Sequence, residues 1–96
     1  ERCLREAKLK AYLASSRDGR LRCEVPGCRF DFEAMYGSTG AGYAQVHHVK
    51  PLASRAAPER TRLEELVVVC ANCHAMIHRF GANRAVQNLV RRGRAG

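Results

Sequence analysis

No apolar run in the sequence approaches the ~18 residues that a membrane-spanning helix needs. No stretch has the pattern of a secretory signal peptide either. A membrane helix is therefore excluded, and a reducing cytoplasm is the expected location. An even number of cysteines is also lacking. Cys3, Cys23, Cys28, Cys70 and Cys73 make five, whereas a disulfide framework prefers an even count and a secreted chain. Acidic residues are missing from Arg79 to the end, where five arginines (79, 84, 91, 92 and 94) stand alone. The first residue is Glu1 rather than methionine, as expected of a fragment of a longer protein.

What is present fits one small domain. Ninety-six residues bury only a marginal core, and a staple would help to hold it. Five cysteines and four histidines suggest that the staple is a metal ion. The formal net charge of +8 favours a polyanionic partner such as nucleic acid. A solvated basic tail would also account for part of it.

Local patterns divide the chain. Residues 1–16 carry good helix formers with Leu9, Tyr12 and Leu13 on one side, which predicts an amphipathic helix. Ser15, Ser16 and Asp18-Gly19 break it. The Pro26-Gly27 step between Cys23 and Cys28 demands a tight turn. Residues 37–42, rich in glycine, are expected to form a flexible loop, and Tyr43 to Val49 a strand. Residues 53–62 look like a connecting loop, and Leu63 to Leu66 like a helical turn. Val67 to Val69 reads as a short buried strand running into Cys70. Asn72 to Arg79 suits a helix stopped at Gly81. Asn83 could cap a last helix that turns Val86, Leu89 and Val90 to the core. The expected organisation is a helical flank (1–20), a core (21–80) and a basic C-terminal helix (81–96), all in one domain.

Two cysteine pairs stand out, Cys23-x4-Cys28 and Cys70-x2-Cys73. Each can pinch an ion from a turn, and together they supply the four thiolates of a closed tetrahedral zinc site. A closed site leaves no position for substrate, so its role is structural and its binding energy drives folding. Cys3 is left over as a small helix residue.

The histidines also fall in pairs. His74 and His78 are four apart on the predicted helix and share a face. They suit metal chelation, although either could instead replace a cysteine at the zinc. His47-His48 alone would pass for surface residues. The joint order of His-His, short strand, Cys-x2-Cys-His-x3-His would place four imidazoles near one cleft. Neighbouring strand residues point to opposite faces, so His47 and His48 serve one site only if the strand twists or ends there. Pro51 is consistent with such an end.

These residues resemble the HNH endonuclease family. Tyr43 to Leu52 looks like the first half of the HNH motif, and Leu63 to His78 like the second. The closest resemblance is to McrA-like restriction endonuclease domains. It is carried by Cys23 to Cys28, Phe32 to Gly37 and Val46 to His48, and it covers residues 23–80. The resemblance implies an α+β chain with a ββα-metal core, a zinc knuckle and flanking helices. It also implies His47, His74 and His78 as ligands of a catalytic divalent ion, His48 as general base, and Cys23, Cys28, Cys70 and Cys73 as the zinc ligands. Glu65-Leu66 stands where the family has the asparagine that braces the loop of the general base. Glutamate cannot donate that amide hydrogen bond.

The implied activity is metal-dependent hydrolysis of DNA phosphodiesters leaving 5′-phosphate ends, in a restriction role that could depend on base modification. Imidazole near pH 7 can accept the proton of the attacking water. The catalytic ion would be Mg, Mn, Co, Ni or Zn, and an all-histidine set suits the later four better on ligand softness. Lys50, Arg79, Arg91 and Arg92 are the expected phosphate contacts, which position DNA without reading its sequence. With no base-reading motif, a fused or associated modified-base recognition domain is the expected source of specificity. The rival is a zinc-stabilised nucleic-acid-binding module without catalysis, which has no need of His48.

Overall fold

The computed structural model describes residues 2–49 and 62–91. In chain order the elements are α1 (Arg2–Ala14), α2 (Phe32–Tyr36), β1 (Gln45–His48), β2 (Leu66–Val69) and α3 (Ala71–His78). Short 3₁₀ turns occupy Gly37–Gly40, Leu63–Glu65 and Arg79–Gly81. The fold is α+β, with two antiparallel strands followed by a helix, as the resemblance implies. No described helix is long and apolar enough to cross a membrane.

The sheet sets every later position. Gln45 pairs with Val69, Val46 with Val68, His47 with Val67 and His48 with Leu66. Directly opposed residues share a face, and faces alternate along each strand. Gln45, His47, Val67 and Val69 therefore face one way, and Val46, His48, Leu66 and Val68 the other. Val68 packs with Leu21 and Ala44 under Leu9, Tyr12 and Leu13 of α1, the apolar stripe read from the sequence. On the opposite face Val69 and the fully buried Ile77 of α3 join Val25, Cys23, Cys70 and Cys73. The described residues thus form two small cores separated by one thin sheet, and the second is centred on cysteines.

Glu24 ties the knuckle to the sheet. Its N–H donates to Val68 O at 2.8 Å, and its Oε1 accepts from Val68 N at 2.8 Å. A side chain thus stands in for a third strand on the open edge of β2. The Val25-Pro26-Gly27-Cys28 segment closes with Cys28 N donating to Val25 O at 3.0 Å, and Gly27 has φ 89°. Proline second and a positive-φ glycine third define a type II turn, as the Pro-Gly step predicts.

Two expectations need correction. Residues 37–42 are not an open loop, because Gly37–Gly40 forms a 3₁₀ turn after the previously unassigned α2. Asp31 caps α2 by accepting from Glu33 N at 2.9 Å and Ala34 N at 3.1 Å, and it is held by Arg20 Nε at 3.0 Å. Gly40 is buried against the Phe32 carbonyl, where a Cβ would lie 2.3 Å from the oxygen. The second correction concerns the basic C-terminal helix expected over 81–96. Residues 82–91 form turns and bends instead. Phe80 (φ 62°) and Gly81 (φ 75°) reverse the chain, and Arg84 N donates to Ile77 O at 3.0 Å. The segment is thereby drawn back over α3. Val86, Leu89 and Val90 do reach the cysteine core, but as an irregular cover. A helix this short is marginal without its own packing face, and these side chains are used across the knuckle instead. Residues 92–96 and the loop expected at 53–61 lie outside the described residues.

Candidate metal centres

Among the described residues, two groups of side chains lie close enough to share an ion. The first is Cys23, Cys28, Cys70 and Cys73, whose sulfurs all fall within 4.8 Å of one another. Cys23 is held by its N–H to Phe30 O at 2.9 Å, and Cys28 closes the type II turn. Cys70 directly follows β2 and caps α3, its Sγ accepting from Cys73 N at 3.4 Å. The Cys28 and Cys70 sulfurs are 3.8 Å apart. With Zn–S bonds of ~2.3 Å, the edge of a tetrahedron is about 3.8 Å, so the donor set fits zinc.

The electrostatics of the thiols point the same way. Burial pushes Cys23 up to about 11 and also pushes Cys73 up. Burial acts likewise on Cys70, but the Cys73 N–H and the neighbouring thiols outweigh it and hold Cys70 below its ordinary value. Cys23, Cys70 and Cys73, buried and crowded together, do not all ionise by themselves. A cation in their midst removes that obstacle, because thiolate is the ligand form.

The second group is His47, His74 and His78, whose ligand nitrogens also lie within 4.8 Å of one another. Ring centroids are 5.5 Å apart for His47 and His74, 5.0 Å for His47 and His78, and 5.2 Å for His74 and His78. His47 lies buried at the floor, on the sheet face that α3 covers, while the i, i+4 pair comes from the helix above it. Burial, then repulsion from His78, His74 and His48, pushes His47 down to about 4. Burial and His78 lower His74 as well. Both rings are therefore neutral near pH 7 with lone pairs available, which is what a metal ligand requires.

Each helix histidine has a partner for its other ring nitrogen. His74 Nδ1 is 2.9 Å from Gln45 Oε1, and His78 Nδ1 is 3.2 Å from the Ala82 carbonyl oxygen. Gln45 Nε2 in turn donates to the Tyr43 hydroxyl at 2.9 Å. Sequence reasoning missed Gln45. The signal was its place two residues before His47, hence on the same strand face.

His48 does not join the other three imidazoles. It projects from the opposite face of β1, with Nε2 3.6 Å from Glu65 Oε1. The expectation of four imidazoles about one cleft is thus met by three, as period-two alternation requires of adjacent strand residues. Glu65 braces the same region through its backbone, its carbonyl accepting from Val49 N at 2.8 Å. Glu65 therefore holds the end of β1 with its main chain and faces His48 with its carboxylate.

A cleft of about 510 Å³ opens beside His47, lined by Val49, Glu64, Val67, Asn83, Arg84 and Val86 among others. Arg84 Nη1 donates to the Arg79 carbonyl at 2.7 Å and the Met76 carbonyl at 3.0 Å. Arg79 is exposed directly after His78, its guanidinium 4.5 Å from the centre of the Phe80 ring. Arg91 is also exposed. Lys50 and Arg92 lie outside the described residues. A family model described as HNH endonuclease matches residues 23–80. Among curated proteins and solved structures, none matches the chain.

Proposed function

The chain belongs to the HNH endonuclease family, and from that premise we propose that it is a metal-dependent DNA endonuclease hydrolysing phosphodiester bonds in a restriction role. The observation that carries the reading is the convergence of His47, His74 and His78 within 4.8 Å beside an open cleft. A zinc-stabilised nucleic-acid-binding module would share the four cysteines and the +8 charge. It has no use for three imidazoles converging on one point.

In this reading Cys23, Cys28, Cys70 and Cys73 hold zinc and fix the knuckle to α3. His47, His74 and His78 would hold one divalent ion, which would supply positive charge to the phosphate as negative charge develops on its oxygens. The all-imidazole donor set favours Ni, Co, Mn or Zn over Mg. His48 leaves β1 at its last position, on the face away from the three ligands, and from that side it would accept the proton of the attacking water. Glu65 stands behind His48 and orients its ring. General-base assistance of this kind is worth roughly 100- to 10,000-fold. Arg79 and Arg91, both exposed, grip backbone phosphates, as would Lys50 and Arg92. Such contacts hold the duplex without reading bases. Preference for modified DNA would come from a fused or associated modified-base recognition domain.

The test is cleavage of supercoiled plasmid, methylated or unmethylated, with Mg, Mn, Co and Ni in turn and with chelator. Nicking or linearisation that needs a metal ion supports the reading, and a methylation difference identifies the preferred DNA. DNA binding without cutting under every condition would favour the binding module.

A further inference from the structure

The outer partners of the histidine cluster carry one further conclusion, which rests on the reading of His47, His74 and His78 as the divalent-ion site. We propose that Gln45 is a positioning residue: anchored by Tyr43, it fixes the His74 ring so that Nε2 carries the lone pair offered to the metal.

The geometry supplies each link. Gln45 pairs with Val69 in the sheet and shares its face with His47. Its Oε1 lies 2.9 Å from His74 Nδ1 and its Nε2 2.9 Å from the Tyr43 hydroxyl. Tyr43 is itself set edge-on against Phe32, with ring centroids 4.8 Å apart. The amide is therefore held at both ends. An amide oxygen only accepts, so the proton of neutral His74 sits on Nδ1 and the lone pair on Nε2. The reverse arrangement would have the Tyr43 hydroxyl donating to Gln45 and the amide NH₂ donating to His74 Nδ1. It would put the imidazole proton on Nε2 and remove His74 from the cluster. Metal and Gln45 thus select the same tautomer.

His78 obeys the same rule by another route. Its Nδ1 is 3.2 Å from the Ala82 carbonyl oxygen, which also can only accept. The turn at Phe80 and Gly81, which reverses the chain after α3, brings that carbonyl into place. Both helix histidines are consequently preset as Nε2 ligands, one by a side chain that can be altered and one by the backbone. Outer partners of metal-bound histidines typically change affinity by roughly 10- to 100-fold when removed.

The experiment uses the protein with zinc at the cysteines, titrated with Co²⁺ and followed by calorimetry and visible absorption. Wild type should take one further ion per chain. Gln45→Leu should bind it roughly 10- to 100-fold more weakly, with zinc content and circular dichroism unchanged. Gln45→Glu keeps an acceptor and should bind at least as tightly as wild type. Nitrogen-15 NMR of the histidine rings before cobalt is added should show His74 protonated at Nδ1 in wild type, and the preference lost in Gln45→Leu. Equal cobalt affinity for wild type and Gln45→Leu would overturn the inference. So would a Gln45→Glu variant as weak as Gln45→Leu, or a wild-type His74 protonated at Nε2. Wild type that takes no cobalt would instead overturn the histidine-site reading on which the inference rests.

Discussion

Replacing Cys70 with alanine should unfold the domain. Cys70 is one of four sulfurs in the cysteine cluster, and three of those four cysteines are among the six buried residues of the larger core. Its Sγ also caps α3 by accepting from Cys73 N. A cap of this type contributes about 1 kcal/mol. The ion is the larger quantity, since structural zinc contributes roughly 10–16 kcal/mol of apparent binding energy. A chain of 96 residues has a net stability of about 5–14 kcal/mol. Loss of one ligand weakens the site rather than erasing it, but even half of that binding energy is comparable with the whole stability. The assay is zinc release to a chromogenic chelator together with thermal unfolding by circular dichroism. Wild type should release one zinc per chain at the cysteines and unfold cooperatively. Cys70→Ala should hold little zinc there and show no cooperative transition. Cys3→Ala is the control, because Cys3 is exposed and outside the cluster, and it should stay within about 0.5 kcal/mol of wild type. A Cys70→Ala protein that melts within a few degrees of wild type would refute the argument.

Other expectations follow from single contacts. Glu24→Ala removes the acceptor from Val68 N–H, at a fully buried residue. It should destabilise by about 1–3 kcal/mol, read as the shift in urea midpoint, and an unchanged midpoint would count against the strand-mimic role. Gly40→Ala puts a Cβ 2.3 Å from the Phe32 carbonyl oxygen. The atoms it meets are all backbone, so a loss of about 1–3 kcal/mol is expected, and a variant as stable as wild type would show that the 3₁₀ turn yields easily. For pH, His47 is pushed from its ordinary value of 6.5 down to about 4 in the folded protein. Between those values the unfolded chain binds a proton that the native state does not. Stability without a divalent ion at the histidines should therefore fall as pH drops from about 6.5 toward 4, more steeply than in His47→Gln. Identical slopes for the two proteins in urea titrations at pH 7 and pH 5 would contradict this.

Much of the site was legible because metal chemistry leaves marks at short range. Cys23 and Cys28 flank a Pro-Gly turn, and Cys70 and Cys73 straddle the start of a helix, so spacing alone predicts both pinches. His74 and His78 share a helix face for the same reason. The less visible parts depend on contacts between distant segments. α2 has only five residues, too few for a periodic signal, and it exists because Asp31 caps it while Arg20 holds Asp31 from eleven residues away. Val86, Leu89 and Val90 have helical spacing, yet their packing against the cysteine core comes from a chain reversal at Phe80 and Gly81. No i, i+3, i+4 pattern reveals such a reversal. Alternation along β1 set His47 against His48, yet the expectation still placed all four imidazoles at one cleft, and only three meet there. It took the β1–β2 register to show that Gln45 accompanies His47 and that Glu65 meets His48.

The most direct test of the account compares plasmid cutting by wild type and His48→Ala, with cobalt affinity and DNA binding measured on the same samples. A general base acts on the reaction and not on either binding step. His48→Ala should bind cobalt and DNA as wild type does, yet cut roughly 100- to 10,000-fold more slowly. Cutting at the wild-type rate by His48→Ala would contradict it, as would a wild-type protein that binds both metal and DNA and never cuts.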